Sequence, residues 1–161
     1  MKAQKTNVMR LLEQKKISYK AYEYPHGDGP VDGLTVAKIC GQDPTRVFKT
    51  LVARGASKNI SVFVIPVAGE LDLKLAAKAS GEKSVAMVHV SEITPATGYV
   101  RGGCSPIGMK KLYPTYFDKS AADKETVMVS AGKIGAQVEL DPASLLELTH
   151  GVYAELVTRN E

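Results

Sequence analysis

The chain of 161 residues is long enough for one domain that buries most of its apolar surface, and its 44% hydrophobic and 24% charged residues are typical of a soluble globular protein. No apolar run approaches the ~20 residues that a membrane-spanning helix needs. Residues 1–5 lack the apolar core of a signal peptide, so we expect a cytoplasmic protein with no membrane contact. The net charge of +4 is compatible with a polyanionic partner but does not by itself indicate one.

In the first half of the chain, apolar periodicity and turn residues predict helices interspersed with strands. The glycines, proline and aspartates of 26–33 predict a loop. The predicted order is a helix over 6–16, a strand over 17–25, the loop over 26–33, a helix over 35–40 closed by Gly41, a turn opened by Asp43-Pro44, strands over 47–53 and 60–67, and a helix over 71–80 stopped by Gly81.

The second half predicts more strands and a mixed architecture. The predicted order is a strand over 85–90, a helix over 92–97 capped by Ser91, a glycine-rich loop over 99–108, strands around Tyr116, over 127–129 and over 137–140, a helix over 143–149 ended by Gly151, and a strand over 152–157. The helices are too few for strict β-α-β alternation. We therefore expect a single mixed α+β domain over 1–161, with a mostly antiparallel, barrel-like sheet flanked by helices.

Cysteine and histidine are too scattered to indicate a disulfide framework or a metal site. Cys40 and Cys104 lie far apart and form no C-x-x-C motif, so we expect two reduced thiols. His26, His89 and His150 occur singly, whereas zinc sites usually show local pairs of ligands. We expect neither a metal nor a cofactor.

Lys49 is the first candidate for chemistry, because it interrupts an apolar strand. The alternation of a strand places Lys49 on one face with Val47 and Leu51. If that face is buried, Lys49 is either paired or functional, because an unpaired buried ammonium is costly. If Phe48 and Thr50 face inward instead, Lys49 faces water. The pattern leaves both alternatives open.

Two glycine-containing segments are the other candidates. The first, 102–108, reads GGCSPIG, and its glycines allow backbone N–H groups to approach a ligand oxygen. The second, 129–135, reads VSAGKIG and follows a β-branched strand. Neither is a phosphate-binding P-loop or a nucleophile elbow, and either can be a plain structural turn.

Phe48-Lys49-Thr50-Leu51, then G-G-x-S-P-x-G, then a strand that ends in Ser-x-Gly-Lys, form an ordered set that resembles the YbaK/EbsC family of tRNA-editing deacylases. The resemblance extends over nearly the whole chain. It implies the fold of the editing domain of prolyl-tRNA synthetases. It also implies a trans-acting enzyme that removes cysteine from Cys-tRNA(Pro), an error that a proline pocket cannot exclude by size alone.

The resemblance also implies roles for individual residues. Lys49 is expected to be catalytic, holding a phosphate or ribose or polarising the ester. Gly102 and Gly103 are expected to donate N–H groups to the ester carbonyl. The remaining predicted substrate-binding residues are Tyr24, Phe48, Thr50, Ser105 and Ser130.

The implied chemistry is substrate-assisted. The thiol of the bound cysteine attacks its own carbonyl and leaves as a thiolactone, with the ribose 2′-hydroxyl aiding proton transfer. Cys104 is then expected to be a packing thiol and not a nucleophile. The expected partners are aminoacyl-tRNA(Pro) and, transiently, prolyl-tRNA synthetase, and the chain is expected to be a monomer. A deacylase for Ala-tRNA(Pro) and a noncatalytic tRNA- or synthetase-binding module are the alternatives.

Overall fold

The fold is taken from a computed structural model, which describes residues 5–27 and 29–158. Residues 1–4, in the segment without a signal-peptide core, and residue 28, in the predicted loop, lie outside these ranges. Within the described residues, no helix is both long and apolar enough to cross a membrane.

The α-helices begin where a polar side chain accepts a hydrogen bond from the first turn. For example, Asp141 Oδ1 accepts from the N–H of Ser144 at 2.9 Å. The helices are α1 (Asn7–Gln14), α2 (Gly33–Ile39), α3 (Leu73–Ser80), α4 (Val90–Thr97) and α5 (Pro142–Thr149), and short 3-10 helices cover Pro44–Arg46 and Lys119–Asp123.

The N-cap of α4 differs from the prediction. His89 Nδ1, and not the Ser91 side chain, accepts the capping hydrogen bond, from the N–H of Ser91 at 3.2 Å. The helix therefore begins at Val90, and the preceding strand ends at Met87 although the sequence predicts it to run to residue 90. A capping imidazole is uncommon among N-caps, which is why Ser91 is the more obvious choice from sequence.

Eight strands form two sheets in the described part of the chain. The strands are β1 (Lys20–Glu23), β2 (Phe48–Gly55), β3 (Ile60–Pro66), β4 (Val85–Met87), β5 (Thr115–Asp118), β6 (Val127–Ser130), β7 (Ala136–Leu140) and β8 (Val152–Ala154). The three-stranded sheet has the order β1-β7-β6, and the five-stranded sheet has the order β4-β2-β3-β5-β8. The β3–β5 and β5–β8 pairs are parallel, and the other pairs are antiparallel.

The mixed, mostly antiparallel α+β architecture is confirmed, but the barrel expectation needs correction. The sheets meet at an isolated parallel bridge between Val47 and Met128 and do not close into a barrel. The reason is that β6 forms its ladder with β7, whereas among the described residues its backbone pairing with the large sheet is limited to this bridge.

The main core fills the space between the two sheets. Phe48 and Val64 of the large sheet pack with Val129 and Val138 of the small sheet, and α1 contributes Leu12. A second cluster covers the opposite face of the large sheet, where Phe63 and Ile65 pack under Ala76 and Ala77 of α3. Burying each such side chain stabilises the fold by about 1.5–3 kcal/mol. Both faces of β2 are thus covered for most of its length.

Candidate functional site

Lys49 lies between the areas covered by two helices. It is opposite Ile65 in the β2–β3 register, and opposed residues point to the same face. Ile65 belongs to the cluster that packs under Ala76 of α3. Val47, two residues before Lys49 and on the same face, packs instead with Ala37 of α2. Lys49 therefore occupies the gap between α2 and α3.

This placement shows which face of β2 carries Lys49. Phe48 points the other way, into the core between the sheets, and is 4% exposed. Lys49 itself is half-buried. Among the residues that the structure describes, none forms a hydrogen bond or ion pair with its ammonium group. A half-buried ammonium without a protein partner is available for an anion or a carbonyl oxygen.

Ser130 reaches the same region from the other sheet. The bridge between Val47 and Met128 is parallel, and Lys49 and Ser130 each follow it by two residues on the same faces. The Ser130 side chain is half-buried, and its Oγ accepts a hydrogen bond from the N–H of Gly132 at 3.1 Å. The hydroxyl hydrogen remains available to donate to a ligand.

The double glycine packs against two other loops. A Cβ on Gly102 would lie 2.4 Å from Pro30 Cβ, and one on Gly103 would lie 2.9 Å from Lys133 Cα. Gly102 also has φ +86°, a conformation that side chains other than glycine rarely adopt. No larger residue fits at either position without a shift of the backbone.

The two glycines differ in whether their N–H group is free to bind the ester carbonyl. The N–H of Gly103 donates to Val100 O at 3.0 Å, so it is already used inside the loop. The N–H of Gly102 donates to no residue in the described part of the chain. Of the two, only Gly102 can offer a donor without breaking a hydrogen bond.

A ring of contacts connects these segments. Val67 donates its N–H to Val47 O at 2.9 Å, and its side chain lies against Gly33. Gly33 is the first residue of α2 and follows the loop that carries Pro30. Pro30 lies against the double glycine, which lies against Lys133. The contacts return to β2 through β6, because Met128 of β6 forms the bridge with Val47, the residue before β2. The segments that carry Lys49, Gly102 and Ser130, predicted from separate motifs, are thus connected by one circuit of contacts.

The other predicted substrate-binding residues are less exposed to a ligand. Ser105 is fully buried, and its Oγ accepts from the N–H of Ile107 at 3.2 Å, which stiffens the loop. Tyr24 is 9% exposed and donates its N–H to Gly135 O at 3.0 Å. Thr50 faces the inter-sheet core opposite Val64, and its Oγ1 is buried without a partner among the described residues.

Burial keeps the two ionisable groups near the glycine loop neutral. Burial raises the pKa of Cys104 to about 11, and a hydrogen bond with Thr97 opposes this only weakly. Burial also raises the pKa of Tyr99 to about 12, and the Tyr99 hydroxyl donates to Ile107 O at 2.5 Å. A neutral thiol is a poor nucleophile, and this supports the view of Cys104 as a packing residue.

A second polar cluster lies on the outer face of the small sheet. The Glu139 carboxylate accepts from Tyr22 Oη at 2.5 Å, from Arg46 Nη2 at 2.9 Å and from the Thr126 hydroxyl. Burial alone would raise the pKa of Glu139, but the hydrogen bonds from Thr126 and Tyr22 and the charge of Arg46 together lower it. This carboxylate is fully used inside the protein.

Similarity to known proteins extends over most of the chain. Residues 33–148 match the aminoacyl-tRNA editing domain family. A relative from Enterococcus faecalis, provisionally named Cys-tRNA(Pro)/Cys-tRNA(Cys) deacylase EbsC, is 49% identical over 156 residues, which are 97% of this chain and 95% of the relative. This chain belongs to the aminoacyl-tRNA editing domain family. The resemblance to YbaK/EbsC proteins is confirmed.

Solved structures agree with this family at the level of the fold. A structure described as a provisional trans-editing enzyme for prolyl-tRNA synthetase superposes with a TM-score of 0.83 at 24% identity, covering 98% of this chain and 100% of the other. A structure of a hypothetical protein also has a TM-score of 0.83, at 20% identity, and covers 94% of this chain and 99% of the other.

Sequence reasoning singled out Tyr24 but missed the cleft that this residue lines. An open cleft of ≈ 360 Å³ lies beside the glycine loops, between residues 23–26 and 133–135. Lys133 is the last residue of the Ser-x-Gly-Lys motif, but its position in that motif does not indicate a role for its side chain. His26 precedes Gly135 by 109 residues in the sequence and is placed beside it only by the pairing of β1 with β7. No local signal could have joined them.

Proposed function

We propose that this member of the aminoacyl-tRNA editing family is a trans-acting deacylase that clears Cys-tRNA(Pro). The observation that carries the proposal is the half-buried Lys49, which has no partner among the described residues and lies on a segment connected through contacts with those of Gly102 and Ser130. The substrate is suggested by the relative EbsC, whose provisional name specifies Cys-tRNA(Pro) and Cys-tRNA(Cys).

The three residues divide the work on the ester. The Lys49 ammonium holds the terminal phosphate or ribose, or polarises the ester carbonyl, as a compact mobile charge. The free N–H of Gly102 donates to the carbonyl oxygen as negative charge develops on it. The Ser130 hydroxyl donates to the substrate or to the terminal adenosine. Because an aminoacyl ester is already activated, positioning and charge stabilisation suffice without a catalytic triad.

In the proposed reaction, the substrate supplies the nucleophile. The sulfur of the esterified cysteine attacks its own carbonyl carbon, so that a C–S bond forms and the ester C–O bond breaks. The thiol proton passes, with help from the ribose 2′-hydroxyl, to the leaving 3′-oxygen. The products are cysteine thiolactone and uncharged tRNA. The neutral, half-buried Cys104 takes no part.

We further propose a cytoplasmic monomer that acts in trans, needs no cofactor, and contacts prolyl-tRNA synthetase only transiently. The net charge of +4 supports weak intrinsic affinity for tRNA, with the synthetase supplying selectivity for tRNA(Pro). Phosphate contacts alone carry no sequence information.

A paired assay tests the proposal. Labelled Cys-tRNA(Pro) and Ala-tRNA(Pro) are incubated side by side with the protein, together with tRNA(Pro) that carries 2-aminobutyrate, which is close in size to cysteine but has no thiol. We expect rapid loss of cysteine only. Loss of cysteine at the buffer rate refutes the deacylase, and equal loss of 2-aminobutyrate refutes the role of the substrate thiol.

Two alternatives are separated by the same assay. A preference for alanine identifies a deacylase of the Ala-tRNA(Pro) type. If no ester is cleaved but Cys-tRNA(Pro) is still bound, the chain is a noncatalytic tRNA-binding module.

A further inference from the structure

The open cleft beside the glycine loops carries an inference that rests on the proposed function. Its volume is ≈ 360 Å³, and its lining is mainly polar. One wall is the end of β1 and the residues after it, and the other is the loop between β6 and β7. The lining residues are Glu23, Tyr24, Pro25, His26, Lys133, Ile134 and Gly135.

The two walls are fixed to each other. Tyr24 donates its N–H to Gly135 O at 3.0 Å, and Ala131 donates to Ala136 O at 3.0 Å across the loop. A Cβ on Gly135 would lie 2.3 Å from His26 Cδ2, so the imidazole lies directly against the backbone. The cleft therefore exists before any ligand binds.

Lys133 connects the cleft to the ester site. Its Cα is 2.9 Å from the position of a Cβ on Gly103, next to the free N–H of Gly102. The Lys133 side chain is exposed, and within the described residues it has no ion pair. If the ester of an RNA substrate lies at Gly102, the ammonium group of Lys133 is therefore available to the neighbouring nucleotide of the same strand.

The remaining lining fits a nucleotide. The ring of His26 is exposed, and a flat exposed ring is a surface on which an unpaired base can stack. His26 Nδ1 donates to Gly27 O at 2.8 Å, since a carbonyl only accepts, and this bond fixes the ring orientation. Glu23 is the one carboxylate among the lining residues, and a carboxylate accepts from the amino group of cytosine.

We propose that this cleft binds the nucleotide that precedes the aminoacylated adenosine. Lys133 contacts the phosphate that joins the two nucleotides, His26 stacks on the base, and Glu23 accepts a hydrogen bond from a cytosine at this position. The cleft acts as a second binding site that holds the single-stranded 3′ end in register with Gly102.

A binding experiment tests the cleft without requiring any activity. The dissociation constants of the dinucleotide CpA, of UpA and of adenosine are measured by calorimetric titration for the parent protein and its variants. We expect the parent to bind CpA about tenfold more tightly than adenosine, and Lys133→Ala to lose most of that advantage. Glu23→Ala should lose only the preference for CpA over UpA.

Lys83→Ala is the matched control, because Lys83 is an exposed lysine between α3 and β4, away from the lining of the cleft. If this variant loses the CpA advantage as fully as Lys133→Ala does, or if Lys133→Ala retains it, the assignment of Lys133 is overturned. If the parent binds CpA and adenosine equally tightly, the proposal that the cleft binds the preceding nucleotide is overturned. In either case the deacylase assay above still reports on the proposed function.

Salt dependence supplies a second readout on whole tRNA. One phosphate contact to a single strand contributes about 0.7 to the slope of log affinity against log salt concentration. Lys133→Ala should reduce the slope for Cys-tRNA(Pro) by about that amount, Lys83→Ala should leave it unchanged, and Lys133→Arg should restore it. An unchanged slope in Lys133→Ala refutes the phosphate contact.

Discussion

The two polar clusters of this protein differ in how completely their groups are paired. Around Glu139, the carboxylate is bonded by Tyr22, Arg46 and Thr126. Around Lys49, the ammonium has no partner among the described residues. Both clusters lie near the place where the two sheets meet.

The difference indicates what each cluster is for. A fully satisfied network contributes to stability and holds one conformation, whereas unpaired groups weaken the free protein and are available to a ligand. We therefore expect substitutions around Lys49 to reduce activity with little loss of stability, and substitutions around Glu139 to do the reverse.

The largest expected effect is that of Lys49→Ala. Removing a charge that acts on the reacting ester should reduce deacylation of Cys-tRNA(Pro) by about 100-fold or more. Because no described residue pairs with Lys49, the free energy of unfolding should change by less than about 1 kcal/mol. Single-turnover deacylation and urea unfolding measure both, with the exposed Lys78→Ala on α3 as control. Unchanged deacylation would show that Lys49 is not catalytic.

The next largest effect is expected for Gly102→Ala, with Gly98→Ala as a control that has the same backbone strain but no close contact. Gly98 and Gly102 both have φ +86°, but a Cβ on Gly98 comes only within 3.8 Å of Lys110, while one on Gly102 meets Pro30 at 2.4 Å. Alanine should cost about 1 kcal/mol of stability at position 98, from the φ angle alone, and more at position 102, where the clash with Pro30 adds to it. Only Gly102→Ala should also reduce deacylation, by more than about tenfold. Equal activities of the two variants would contradict a role for the Gly102 loop.

Glu139→Gln should act on stability and depend on pH. The pKa of Glu139 in the folded protein lies below its ordinary value of 4.5, so its contribution is complete above that value and is lost as pH falls through the folded pKa. We expect a loss of about 1–3 kcal/mol at pH 7 that shrinks as pH falls from 4.5 through the lowered pKa of Glu139. Thermal unfolding across pH measures this, with the exposed Glu147→Gln as control. A deficit that grows in acid would reverse the assignment.

The smallest effect is expected for Cys104→Ala. Because burial raises the pKa of this thiol to about 11, it stays protonated at neutral pH. Deacylation should remain within about threefold of the parent, as in Cys40→Ala, and iodoacetamide should label Cys104 slowly at pH 8. A loss of activity comparable to that of Lys49→Ala would mean that Cys104 takes part in the chemistry.

The secondary structure was largely predictable because its signals are local. Asp72 and Asp141 begin helices through their own side chains, and the β-branched run before Ser130 forms a strand. The start of α4 was missed because His89 takes the cap from Ser91. The glycine-rich segment 99–108 was correctly predicted as a loop, yet the sequence could not show that the N–H of Gly103 is already used by Val100.

Most of the helices and strands and the ordered motifs that identify the family can be predicted from the sequence, since each depends on residues close together in the chain. Three features emerge only from the folded chain: the two sheets do not close into a barrel, Lys49 lies between α2 and α3 without a partner among the described residues, and His26 meets Gly135. These features depend on pairings between distant segments, such as β1 with β7, whose partners are chosen by the packing of the whole core.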